Sequence, residues 1–284
     1  MAPWHAESPC RKPPQRAVPR HGAIGEAPRA AWMGRFGARF VVVLAALWSF
    51  GGLTAQAASQ HKLPERYRHS PYSLMSLSVG HPNDGWQVRA KKLRNTRALK
   101  VRNKSHGRNY AHPALVLMLR RTAKDIASAA PGSVMLVGDL SFDEGGPISG
   151  HYSHQSGRDA DIAFYVTDAQ GEPVNSQRFV AFDSEGRAKD KSGLRFDDWR
   201  NYLLVEAWVK DRRAGISHIF VSRELRSRLL KYGRSQARFR EHYREVVGLL
   251  KQPENALPHD DHFHVRISCP KRQEGLCKEH STSR

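Results

Sequence analysis

The chain has few cysteines and no long apolar segment. Three of its 284 residues are cysteine, and the main apolar run covers residues 40–50. This run is about half of the roughly 20 residues that a bilayer-spanning helix needs. We therefore expect no stable membrane span once the N-terminal segment has been cleaved off. Retention of residues 40–50 as a membrane anchor is the alternative. The sequence also lacks a phosphate-binding glycine loop, zinc-finger spacing and an aromatic-basic RNA motif, so no nucleic-acid partner is expected.

Residues 1–57 have the features of an export leader. Arg35 and Arg39 precede the apolar run, and Ala55-Gln56-Ala57 follows it. A basic region, a short apolar core and a small-residue cleavage site are typical of a signal peptide. The residues before Met33 are rich in proline, alanine and arginine and show no apolar periodicity, so we expect translation to start at Met33. We predict a leader at 1–57, a single domain at 58–284 and a periplasmic location.

Removal of this leader would discard Cys10 and leave Cys269 and Cys277, eight positions apart. An even pair of cysteines in an oxidising compartment indicates a disulfide, which here would close a small loop. Two free thiols are the alternative.

Histidine and aspartate are concentrated in two short runs, residues 151–161 and 259–264, which hold five of the 15 histidines. Both runs alternate as strands do: His262 and His264 share one face, and Phe263 and Val265 share the other. We expect each strand to turn its polar face outward. His154, Asp161 and His264 form a His-Asp-His set suited to Zn²⁺, and three protein ligands leave a position open for water, as in catalytic sites. Solvated surface histidines are the simpler alternative.

The spacing His154-x6-Asp161 followed by His262-x-His264 resembles the lysostaphin, D-Ala-D-Ala metallopeptidase and hedgehog superfamily. The flanking stretches narrow the resemblance to the penicillin-insensitive murein endopeptidases. These stretches are Gly150-His151-Tyr152-Ser153-His154-Gln155-Ser156-Gly157, residues 262–270, Ser78-Val79-Gly80-His81-Pro82-Asn83-Asp84-Gly85 and Val137-Gly138-Asp139-Leu140. The likeness covers roughly residues 75–277.

The resemblance implies a zinc metallopeptidase with one Zn²⁺ per chain held by His154, Asp161 and His264. His262 matches a histidine that faces the reacting centre, and His151 and His259 match accessory histidines. Asp183 is a candidate ligand for a second metal, but no histidine follows it nearby. The implied reaction is hydrolysis of the D-alanyl to meso-diaminopimelate cross-link of peptidoglycan. A D-Ala-D-Ala dipeptidase or carboxypeptidase, and a non-catalytic zinc-containing wall-binding module, remain alternatives.

No His-Glu-x-x-His motif supplies a glutamate base, so we expect His262 to act as general base or to stabilise the oxyanion. Asp260 and Asp261 are candidates for orienting imidazoles, or are acids of a surface turn. His151 and His259 are candidates for binding a substrate carboxylate.

Basic residues outnumber acidic ones, 46 Lys+Arg against 27 Asp+Glu, for a net charge of +19. The segment 1–57 holds seven basic and two acidic residues, so the remaining chain keeps +14. A strongly basic exterior attracts a polyanion, and for an exported protein we expect peptidoglycan with its peptide carboxylates. A merely solubilising surface is an equal alternative for the basic cluster of Arg89, Lys91, Lys92, Arg94, Arg97 and Lys100.

The remaining patterns predict helices at 113–130, 197–210, 223–232 and 235–251, and strands at 133–138 and 216–221. The order of these elements is irregular and contains no repeat. We therefore predict an α+β fold, in which an antiparallel sheet carries the zinc site and helices pack on one side.

Overall fold

The computed structural model describes residues 62–102, 106–253 and 257–279. The predicted leader, with Met33 and Cys10, lies outside these residues. The three described ranges belong to one compact unit of the chain. Within them, every helix is too short or too polar to cross a membrane.

Four α-helices occur in the described residues: α1 Pro113–Ala129, α2 Asp198–Lys210, α3 Arg223–Ser235 and α4 Tyr243–Leu249. Helix α1 begins at a proline, whose missing N–H costs nothing in the first turn. The side chain of Asp197 accepts a hydrogen bond from Arg200 N and caps α2. The predicted starts and ends of α1 and α2 are confirmed to within one residue.

The predicted helix at 235–251 is confirmed only in part, because no continuous helix covers this segment. A 3-10 turn at Ala237–Phe239, helix α4 and a short strand β12, Leu250–Lys251, occupy this segment instead. Strand β12 pairs in parallel with the end of a longer strand at Ile219 and Phe220, which buries Leu250. Sheet pairing therefore overrides the local helical pattern at this point.

The other strands are short. They are β1 Leu77–His81, β2 Asp84–Val88, β3 Lys91–Lys92, β4 Leu99–Val101, β5 Tyr110–Ala111, β6 Met135–Val137, β7 Asp159–Ala163, β8 Val166–Thr167, β9 Pro173–Val174, β10 Arg195–Phe196, β11 Ile216–Phe220 and β13 His262–Ile267.

Six of these strands form the main sheet in the order β12-β11-β13-β7-β6-β4. The pairs β11/β12 and β4/β6 are parallel, and the other pairs are antiparallel. The α+β fold is thus as predicted, but the sheet is mixed rather than antiparallel. Its central strands β13 and β7 are antiparallel neighbours.

One face of this sheet packs into the hydrophobic core. Phe263 and Val265 of β13 and Ile162 of β7 are fully buried, and the Trp208 ring of α2 meets the Phe263 ring edge-on at 5.5 Å. The alternate residues of β13, His262 and His264, project from the opposite face.

Strand β7 differs from the prediction of an outward polar face. All five of its residues are buried, including Asp159 at 0 % and Asp161 at 2 % exposure. The loop residues His154 and Phe179 pack on the polar face of the central strands, so the buried aspartates lie in a low-dielectric environment where each needs a partner.

Candidate metal centre and active site

Pairing of β7 with β13 brings the two histidine-rich runs together. His264 lies directly opposite Asp161, and His262 lies opposite Ala163. Paired residues of neighbouring strands share a face, so the imidazoles of β13 lie beside the Asp161 carboxylate.

The loop before β7 brings His154 to the same carboxylate. His154 has a left-handed backbone with φ of 72°, which is costly for a residue with a side chain. Neighbouring contacts hold it there: Gln155 N donates to Pro82 O, and the Ser141 hydroxyl donates to the His154 carbonyl. Such strain is common at functional sites.

Three ring nitrogens face one oxygen of Asp161. Asp161 Oδ1 lies 3.2 Å from His154 Nε2, 3.5 Å from His264 Nδ1 and 3.5 Å from His262 Nε2. Ligands of a tetrahedral zinc ion, each about 2.0 to 2.1 Å from the metal, lie about 3.3 Å from one another. The separations from His154 and His264 to Asp161 match that geometry.

His151 approaches the other oxygen of this carboxylate. Its Nδ1 lies 3.6 Å from Asp161 Oδ2. His151, His154 and Asp161 together form a group whose ligand atoms are close enough to hold a metal ion. Two ligand sets are therefore geometrically available, and both contain His154 and Asp161.

The buried atoms at the centre are poorly satisfied. Neither His154 Nε2 nor Asp161 Oδ1 has a hydrogen-bond partner among the described residues, and both are inaccessible to solvent. Buried polar groups normally have partners. A metal ion between these atoms would satisfy both, so the residues fit such an ion.

Each imidazole is oriented by a second contact through its other nitrogen. His154 Nδ1 lies 2.7 Å from Leu140 O, and His264 Nε2 lies 2.8 Å from Asp159 Oδ1. These contacts place the N–H on the outer nitrogen and leave the inner nitrogen free to bind a metal. His151 and His262 are held in the same way, by Asp139 and Asp261 respectively.

The buried charges shift the pKa values of the site. Burial raises the pKa of Asp161, but the neighbouring His154 and His262 lower it by more, so the pKa lies well below its usual range. Burial lowers the pKa of His262, but Asp161 and Asp261 outweigh it and raise the pKa to about 10. Burial, together with His154, lowers the pKa of His264 to about 4. His264 is therefore neutral near pH 7, as a metal ligand must be.

Aromatic side chains pack against two of the histidines on β13. The Phe179 ring stacks on His262 with centroids 5.0 Å apart, and the Phe220 ring lies edge-on to His264 at 5.3 Å. His259 lies 5.0 Å from the His262 ring and 5.4 Å from the His264 ring. Burial, followed by the two neighbouring imidazoles, lowers the pKa of His259 to about 3.

Two of the predicted accessory acids have other partners. Asp183 accepts hydrogen bonds from the backbone of Glu185 and Arg187 and from Arg187 Nε, within a turn. Asp260 pairs with Lys189 at 2.7 Å. The described contacts therefore bring Asp261 to the imidazoles, but neither Asp183 nor Asp260.

Some residues of the site received no role from the sequence. Asp159 shares the face of Asp161 two positions along β7, so strand alternation could have identified it. Asp139 lies within a quoted motif, but no pattern links it to His151. Phe179 and Phe220 come from a loop and from β11, and no local pattern indicates their position.

Comparison with known proteins gives matches over the region that contains this site. The sequence model of the penicillin-insensitive murein endopeptidases matches residues 78–284. A protein of that name from Haemophilus influenzae is 28% identical over 172 residues, which is 58% of this chain and 54% of the relative. This chain thus spans about half the length of that relative. The protein of that name from Escherichia coli K12 is 26% identical over 223 residues, 77% of this chain and 76% of the relative.

Proposed function

Because the chain belongs to the penicillin-insensitive murein endopeptidase family, we propose that it is an exported zinc endopeptidase of the cell wall. Its substrate is the peptide part of peptidoglycan, and the bond it hydrolyses joins D-alanine to meso-diaminopimelate across two stem peptides. A carboxypeptidase or dipeptidase acting on D-Ala-D-Ala, and a non-catalytic wall-binding module, are the alternatives to be tested.

The convergence of His154 Nε2 and His264 Nδ1 on Asp161 Oδ1 carries this proposal. The distances of 3.2 and 3.5 Å suit ligands of one tetrahedral ion, and two of the three atoms are buried without hydrogen-bond partners among the described residues. Two imidazole nitrogens and one carboxylate oxygen form a ligand set that zinc enzymes use. His151, which faces the other carboxylate oxygen, is assigned an accessory role.

Zinc in this site would lower the pKa of a bound water to about 7 and polarise the scissile carbonyl. The chain's own residues then have three tasks. His154, Asp161 and His264 hold the ion, and Asp159 holds His264 through its outer nitrogen. His262 provides the proton transfer.

His262 is placed for that task by its two neighbours. Its Nδ1 lies 2.5 Å from Asp261 Oδ1, and its Nε2 faces Asp161. The raised pKa makes it a proton donor near pH 7, suited to stabilise an oxyanion and to protonate the leaving amine. A cation on Asp161 would weaken one of the two attractions that raise this pKa, and would thereby favour the base form that accepts a proton first.

Export by the segment 1–57 is the other part of the proposal. Sequencing the N-terminus of the secreted protein should give a chain that starts after Ala57, in the periplasmic fraction. Recovery of the complete apolar run in membranes would favour the retained anchor. Residues upstream of Met33 in an unprocessed precursor would reject the predicted start.

Purified muropeptides provide the test of the activity. Cross-linked dimers incubated with the protein should give monomers, a chelator should stop the reaction, and added zinc should restore it. His154→Ala serves as the matched inactive control. Release of D-alanine or D-alanyl-D-alanine without monomers would favour the carboxypeptidase or dipeptidase. Binding of dimers without any cleavage would favour the wall-binding module.

A further inference from the structure

A row of residues crosses the sheet on the same face as the metal centre. Val101 pairs with Val137, and Arg102 N donates to Val137 O, so Arg102 lies beside Gly138. Gly138 N in turn donates to Asp161 O. Neighbours in register share a face. The paired registers join Asp161, His264 and Phe220, and the backbone hydrogen bonds of Arg102 and Gly138 place these two residues next in the row beside Asp161.

The gap left by Gly138 in this row is filled by Phe179. A Cβ on Gly138 would lie 2.4 Å from Phe179 Cζ, so only glycine leaves room for the ring where it stands. The same ring stacks on His262, and the guanidinium carbon of Arg102 lies 4.8 Å from the ring centroid. Phe179 thus connects Arg102 to the imidazole of the reacting centre.

Arg102 differs from the other cations near the site. Arg108 is paired with Asp139, Arg266 with Asp159 and Lys189 with Asp260. Among the described residues, Arg102 has no carboxylate within ion-pair distance. The residue is only half-buried, and its guanidinium lies against the Phe179 ring, which restricts its position.

The substrate of the proposed reaction offers a carboxylate of its own. In the cross-link, the diaminopimelate carbon that bears the scissile nitrogen also bears a free carboxylate. The Cα atoms of Arg102 and Asp161 are two strand spacings apart, about 10 Å. An arginine side chain is long enough to reach from there to a carboxylate bound beside the metal centre.

We propose that Arg102, held on Phe179, binds this free carboxylate and determines specificity for the leaving side of the substrate. The inference rests on the proposed function. A guanidinium binds a carboxylate with two parallel hydrogen bonds, which a lysine at the same position cannot reproduce. An amidated diaminopimelate would lose the charge and one acceptor, so the site should discriminate against it.

The experiment compares two cross-linked dimers that differ only in whether this carboxylate is free or amidated. Arg102→Gln should raise KM for the free carboxylate substrate about 10- to 100-fold, the range expected for loss of a charged hydrogen bond. Its kcat, its zinc content and its KM for the amidated dimer should stay close to those of the unmodified protein. For Arg102→Lys, KM for the free-carboxylate dimer should lie between the values of the unmodified protein and Arg102→Gln, because lysine keeps the charge but lacks the planar guanidinium.

Arg213→Gln is the matched control. It removes the same charge from an exposed position outside the basic cluster, just before β11, and should leave both substrates unaffected. Equal effects of Arg213→Gln and Arg102→Gln would mean that only overall charge matters and would overturn the assignment. An Arg102→Gln variant that discriminates as the unmodified protein does would overturn it as well.

Binding of the cleavage product separates this assignment from the proposed activity. The monomer with a free diaminopimelate carboxylate is titrated into the zinc-loaded protein and into Arg102→Gln. If product binding depends on Arg102 but dimers are not cleaved, the proposed activity is contradicted and the carboxylate-binding role of Arg102 stands. If cleavage does not depend on Arg102, the proposed activity stands and the carboxylate-binding role of Arg102 is contradicted. If neither binding nor cleavage is observed, both proposals are contradicted.

Discussion

Four imidazoles surround one buried carboxylate, and each has a different partner on its outer nitrogen. The partners of His151, His154, His262 and His264 are Asp139, the Leu140 carbonyl, Asp261 and Asp159. Such partners fix the ring orientation and the tautomer, and they typically change metal affinity by 10- to 100-fold when removed. The geometry at Asp161 therefore depends on residues beyond the ligands themselves.

Alanine at His154, Asp161 or His264 should abolish zinc retention and hydrolysis, because two ligands are too few to hold the ion. The zinc content per chain after dialysis is the measurement. His151→Ala is the discriminating control, and it should keep about one zinc. Loss of zinc from His151→Ala, with retention in His264→Ala, would favour the set of His151, His154 and Asp161 over the proposed one.

His262→Ala should keep its zinc and lose a factor of about 10² to 10⁴ in kcat, the usual contribution of a positioned acid or base. Both quantities are to be measured on one preparation with a soluble muropeptide dimer. A variant that loses its metal would instead identify His262 as a ligand.

At the level of elements, helix α1 is capped by a half-buried, neutral histidine at its N-terminus. His112 Nδ1 accepts from Ala114 N, and Nε2 lies 3.3 Å from Ser76 O. Burial lowers its pKa from 6.5 to about 4, and the nearby Arg158 adds to the effect. Between these two pH values the unfolded chain binds a proton that the folded chain does not, so the free energy of unfolding falls as the pH falls.

The expected loss from this histidine between pH 7.5 and pH 4 is about 3 kcal/mol. Urea unfolding at both pH values provides the measurement. His112→Asn keeps a capping side chain but cannot titrate, so its free energy of unfolding should fall less over the same interval. Other titrating groups contribute equally to both proteins. An identical pH dependence in the two proteins would show that His112 is not the responsible group.

The disulfide is the second element-level feature. Cys269 and Cys277 are bonded, as predicted. The loop that they close follows β13. Its last residue, Cys277, pairs with Gly80 of β1 through an isolated parallel β-bridge of the backbone. The segment after this loop covers Arg158, whose guanidinium donates to Lys278 O and to Glu279 Oε2.

Replacing both cysteines by serine should lower the free energy of unfolding by about 2 to 3 kcal/mol in the chain-entropy model. Cleavage of soluble dimers at 25 °C should remain, because the disulfide contacts none of the proposed ligands. Chemical denaturation of the oxidised protein, the reduced protein and the double variant gives the comparison. A double variant as stable as the oxidised protein would show that the bond contributes nothing.

At the scale of the whole molecule, the net positive charge should act on binding to the wall rather than on catalysis. The Debye length shrinks from about 10 Å at 0.1 M salt to about 3 Å at 1 M. Binding to intact sacculi should therefore weaken as salt rises, while cleavage of a small soluble dimer should change far less. Salt-independent binding to sacculi would contradict the proposed role of the net charge. Tighter binding to DNA than to sacculi would favour a nucleic-acid partner.

Local patterns were sufficient for several parts of this protein. Proline at the start of α1 and Asp197 before α2 are caps that act within one turn, so their positions could be predicted from neighbours in sequence. Strict alternation in residues 262–267 likewise predicted β13 and its histidine face. The proposed ligands were identified by their types and spacing, because imidazole and carboxylate are the groups that bind zinc.

Tertiary structure decided what depends on contacts between distant segments. Leu250 joined a strand because the edge of β11 offered backbone partners, although its own pattern was helical. Strand β7 became buried on both faces because loops cover its polar side, and Asp159 acquired its role only when β13 placed His264 against it. Phe179 can stack on His262 because Gly138 has no side chain in its place, and Arg102 lies against the Phe179 ring. Periodicity in a sequence reports the face of one element, whereas a site depends on which faces meet, and that is set by packing free energy summed over the whole core.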